Sequence, residues 1–78
     1  MYSNITTGEI SGETLREWRL KARYTLFEAA RIANVRSRKT IMNWESNRSN
    51  PTHNQAIALA LHYGAMEELI ELVSIKEI

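Results

Sequence analysis

Between residues 35 and 50 the chain carries Arg36, Arg38, Lys39 and Arg48 against Glu45 alone. Guanidinium and ammonium groups gathered this closely suit charge-assisted hydrogen bonds to phosphate oxygens and to acceptors on base edges. Other chemistries lack their residues. Cys and Asp are both absent, so thiolate nucleophiles, disulfides and thiolate metal sites are excluded. His53 and His62 stand apart with no third ligand at useful spacing, and no metal or cofactor is expected. The glutamates mostly follow solvent-facing positions, and no glycine-rich phosphate loop occurs. An enzyme needs an arranged nucleophile, base or metal, so no catalytic activity is expected.

The formal net charge of +1 hides a polarity along the chain. Residues 1–34 hold five basic and four acidic side chains. Residues 51–78 hold Lys76 against Glu67, Glu68, Glu71 and Glu77. One end is basic and the other acidic, which suits a protein that places one face on phosphate.

The elements that must position these groups follow from pattern. Seventy-eight residues with an apolar fraction of 44% allow one small domain and a modest core. Residues 1–10 show no helical period and read as an N-terminal arm. Leu15, Trp18, Arg19 and Ala22 mark one face of a first helix starting near Gly12 or Glu13. Thr25 and Glu28 fit a capping box that opens a second helix running to about Ala33, with Asn34 as a left-handed terminator. Ser37 is the natural N-cap of a third helix to about Ser46, and Asn47 closes it. Thr52 and Gln55 form another capping box, opening a fourth helix that Gly64 ends. A fifth, from about Ala65 to Val73, repeats Met66, Leu69, Ile70 and Val73 at helical spacing. The expected fold is all-α, five short helices. Trp18, Phe27, Ile32, Val35, Ile41 and Ile57 are assigned to the core, with Trp44 at the core or its rim rather than stacked on a base. Two short helices joined by a turn, the second basic and followed by a polar loop, have the layout of a helix-turn-helix whose second helix enters the DNA major groove.

Ala30, Asn34, Val35, Ile41, Trp44-Glu45, Asn47-Arg48 and Pro51 resemble the signature of Cro/C1-repressor-type (XRE-like) helix-turn-helix proteins of phages, over about residues 12–64. The longer turn, with FEAA before it and WESNR after it, is also similar to phage anti-CRISPR-associated regulators of the same superfamily. The chain departs from the family in three places. Asn34 stands where glycine is usual, the stretch to Ile41 is one residue longer, and Leu26 replaces a phosphate-binding glutamine.

The resemblance implies a compact lambda-repressor-like domain (11–73) that reads double-stranded DNA. Arg38, Lys39 and Asn43 would face base edges, because arginine and lysine donate to guanine and asparagine pairs with adenine. Arg36, Ser37, Thr40, Arg48 and Ser49 would hold phosphates, Arg36 alternatively reaching a base. Arg19 and Glu45 match a structural ion pair of the family. Helix 5 and the tail (65–78) would form the dimer contact through Met66, Leu69, Ile70 and Val73. The expected function is a transcriptional regulator, a homodimer on a palindromic operator that represses by occupancy and autoregulates its operon. Activation through Glu67, Glu68 and Glu71 is a variant of it, and a protein-binding adaptor or antitoxin-like module is the alternative. No small-molecule effector is expected. With no signal-peptide pattern and no apolar run of bilayer length, the expected compartment is the cytoplasm of a bacterial or phage-infected cell.

Overall fold

The computed structural model describes residues 10–70. Four helices follow in order, α1 (Gly12–Lys21), α2 (Leu26–Ile32), α3 (Arg38–Glu45) and α4 (His53–Tyr63). A fifth helical stretch, α5, occupies 66–70 and runs up to the last described residue. No strand occurs among the described residues, and the fold class is all-α.

Each helix starts where a short polar side chain can take an orphan amide. Ser11, Thr25, Ser37 and Thr52 are the N-caps of α1 to α4, accepting from the amides of Thr14, Glu28, Lys39 and Gln55. At Thr25 and Thr52 the box closes reciprocally, with Glu28 and Gln55 accepting the cap amides at 2.8 Å each. All four helices then stop in the same way. The residues after the last turn, Arg23, Asn34, Asn47 and Gly64, have φ of 65°, 59°, 65° and 73°. In each case the next amide reaches back five residues: Tyr24 to the Arg19 carbonyl, Val35 to Ala30, Arg48 to Asn43, and Ala65 to Ala60. This is the Schellman closure, which satisfies carbonyls the helix leaves open. Asparagine and glycine are the usual residues at that φ, so Arg23 is the unexpected one.

The core is small and built largely on alanine. Ile41 and Leu59 are the largest fully buried side chains, surrounded by Leu15, Trp18, Trp44, Ala29, Ala30 and Ala60. Three expectations need correction. Ile10, assigned to the arm, is buried with the core. Residues 1–9 lie outside the described part of the chain. Phe27, assigned to the core, is 61% exposed. Helix α2 buries Ala29 and Ala30 against its neighbours with Leu26 partly covered, and one residue on from Leu26 turns about 100° away from that face. Finally, Leu69, placed in a dimer contact, is buried in the chain's own core, and Met66 packs against that core. Of the residues proposed for that contact, Ile70 is exposed and Val73 lies outside the described residues.

Candidate nucleic-acid interface

Helix α3 has two unlike faces. Ile41 and Trp44, three apart, are buried. Opposite them lie Lys39 and Asn43, four apart, the lysine exposed and the asparagine half-buried. Asn43 is partly covered because the chain folds back over it: its carbonyl accepts from the amides of Arg48 (2.9 Å) and Ser49 (3.4 Å), and from the Ser46 hydroxyl (3.2 Å). Arg38 is the first helical residue and is exposed. Arg36, Ser37, Arg48 and Ser49 are exposed at the two ends of the helix, and Thr40 is half-buried on its flank. The structure therefore gathers the sequence-derived candidates around one helix. It adds Met42, 50% exposed beside Lys39 and Asn43, which the sequence reading passed over.

The pose of α3 is fixed by three ties. The Arg19 guanidinium on α1 donates to both oxygens of Glu45 at the end of α3, Nε to Oε2 at 2.7 Å and Nη2 to Oε1 at 3.1 Å. Its Nη1 donates to the Tyr24 carbonyl (3.0 Å) in the α1–α2 connection. One side chain thus joins α1, α3 and the start of α2. The bidentate bond to Glu45 raises the pKa of Arg19 above its ordinary value and outweighs the opposing effect of burial, so the group stays charged. The second tie is Gly12. A Cβ there would lie 2.4 Å from the Trp44 carbonyl oxygen and 2.5 Å from that of Glu45, so only glycine lets α1 approach α3 this closely. The third is Asn47, whose Oδ1 accepts from the Gly12 amide at 2.8 Å. Neither Gly12 nor Asn47 carries a sequence signal for this role, since the contact spans distant parts of the chain.

Other groups take structural roles. Trp18 Nε1 donates to Glu68 Oε2 (3.0 Å), docking α5 on α1 and giving that glutamate a partner within the chain. His62 Nδ1 lies 2.9 Å from the Ala58 carbonyl oxygen. Among the described residues no group of three or more His, Asp or Glu is placed to hold a metal, and no helix is long and apolar enough to cross a membrane. Tyr63, packed against Tyr24 with ring centroids 5.6 Å apart, has its pKa raised well above the ordinary tyrosine value, chiefly by burial.

Compared with known proteins, the chain matches no family model, no curated protein and no solved structure.

Proposed function

We propose that this protein is a sequence-specific double-stranded DNA-binding regulator of the Cro/C1-repressor type, with α2 and α3 as its helix-turn-helix in a lambda-repressor-like domain. The observation that carries the reading is the outward face of α3. Lys39 and Asn43 share that face, Arg38 opens the helix, and the opposite side is anchored by Ile41 and Trp44. A helix about 10–12 Å across fits a major groove about 12 Å wide. In that pose Arg38, Lys39 and Asn43 meet base edges. Arg36, Ser37, Thr40, Arg48 and Ser49 meet the phosphates near the helix ends.

Occupancy of a promoter is then the mechanism. A homodimer sets two α3 helices one helical turn apart on an inverted repeat at its own operon and excludes polymerase. Its place of action is the cytoplasm, with the DNA. The alternative, an adaptor whose main partner is a protein, draws on exposed Leu20, Leu61 and Ile70.

Fluorescence anisotropy across a salt series tests the reading, using labelled duplex from upstream of the gene and an unrelated duplex. Wild type is expected to bind the first tightly with steep loss in salt, and an Arg38→Ala/Lys39→Ala protein to keep its helical content and lose that binding. Equal, weak binding to both duplexes, with capture of a protein partner unaffected by the double substitution, supports the adaptor instead.

A further inference from the structure

We infer that the groove between α1, α2 and α3 is a binding site for a DNA backbone phosphate, with Arg16 as its cation. The inference rests on the DNA-binding reading above and assigns a residue outside the helix-turn-helix.

Arg16, Leu26, Met42 and Ser46 line this groove of about 320 Å³, and the Arg19–Glu45 pair forms its floor. Met42 and Ser46 are exposed residues of the α3 side that also presents Lys39, so the groove opens beside the reading face. Arg16 is exposed, and no carboxylate among the described residues pairs with it. The Glu45 carboxylate beneath does not repel an anion strongly, because both its oxygens are held by Arg19 and its side chain is 7% exposed. The Ser46 hydroxyl already donates to the Asn43 carbonyl, so Arg16 supplies the charge and the donors.

The dimensions of DNA bring the ligand there. A helix of about 10–12 Å diameter nearly fills a groove about 12 Å wide, so the bordering strands run along the flanks of the helix. One flank of α3 is this groove. A phosphodiester seated in it meets the Arg16 guanidinium, while Leu26 and Met42 offer apolar walls to the adjoining deoxyribose.

A phosphate contact carries no sequence information, which sets the test. Arg16→Ala and a control, Lys21→Ala, are compared with wild type by anisotropy on the upstream duplex and an unrelated one. Lys21 lines a different groove, beside Trp18 and Glu68. Arg16→Ala is expected to melt like wild type and to weaken binding to both duplexes by a similar factor. It should also reduce the slope of log K against log salt by about 0.9 per protomer, with Arg16→Lys retaining the slope and Lys21→Ala leaving it unchanged. A folded Arg16→Ala protein with wild-type affinity and slope overturns the inference and leaves the DNA-binding reading standing. A change confined to one duplex overturns it in favour of base contact. If wild type itself shows no salt-dependent duplex binding, both fall together.

Discussion

At the scale of single residues, Arg23 and Tyr63 have the clearest measurable consequences. Arg23 ends α1 at φ 65°, a conformation that crowds the Cβ of an L-residue and that glycine adopts freely. Its backbone bonds are those of the other helix ends, so replacement by glycine keeps the Schellman closure and removes the strain. The gain is partly offset because glycine loses more backbone freedom on folding. Arg23→Gly is therefore expected to stabilise the protein by about 0.5–1 kcal/mol in urea unfolding; an unchanged or lower midpoint would show that the arginine side chain contributes more than its backbone costs. Tyr63 gives a pH signature. Burial raises its pKa in the folded state, whereas in the unfolded chain it ionises near the ordinary value of about 10. Below pH 10 both states hold the proton and the contribution is complete. Above it the unfolded state releases the proton first and stability falls, by up to about 1.4 kcal/mol per pH unit. Thermal melts from pH 8 to 11 should show that decline, and Tyr63→Phe should flatten it.

Among elements, the α1–α3 contact is where substitution should do most damage. In Gly12→Ala the added methyl meets two backbone carbonyls rather than a flexible side chain, so the helices must separate. Overpacking of this kind outweighs the better helix propensity of alanine, and a net loss of about 2 kcal/mol is expected in urea unfolding. The Arg19–Glu45 pair ties the same two helices. Removing one partner strands a nearly buried charge, so Arg19→Ala and Glu45→Ala should each cost about 2–4 kcal/mol, while Arg19→Met/Glu45→Leu recovers most of it. A double substitution as unstable as either single would show that the pair itself, not the orphaned charge, supplies the energy, and one as unstable as their sum would show that the two side chains are not coupled. These elements also divide what was legible in the sequence. The caps at Thr25, Ser37 and Thr52 and the terminators Asn34, Asn47 and Gly64 could be read because each bonds within its own turn. The bonds from Gly12 to Asn47 and from Trp18 to Glu68 span 35 and 50 residues, and no local pattern announces them. Phe27 misled for a related reason: in a short helix of small residues, alanine supplies the close approach and the aromatic is left outside. The pairing of Arg19 with Glu45 was reached through the family resemblance, and the groove at Arg16 required three helices in place.

At the scale of the whole molecule, charge distribution turns stoichiometry into a salt measurement. The cations assigned to phosphate are Arg16, Arg36 and Arg48, all exposed, while the known acidic excess lies beyond residue 50. Each phosphate neutralised releases counterions, contributing about −0.9 to the slope of log K against log salt on duplex DNA. One protomer on a half-site should therefore give a slope of about −3, and a dimer on an inverted repeat about −5. Because Leu69 is buried within its own protomer, any dimer contact must use residues other than the full stripe first assigned to it, with Ile70 the exposed member among those described. Ile70→Glu places a charge on that surface without touching the groove or α3. If α5 forms the dimer contact, this substitution should lower the molar mass by sedimentation and reduce the salt slope on the full site from the dimer value to the monomer value, while binding to the half-site is unchanged. A wild-type slope near −3 on both duplexes, with a monomeric mass, would instead place this protein on DNA as a single copy, reading one half-site through one α3.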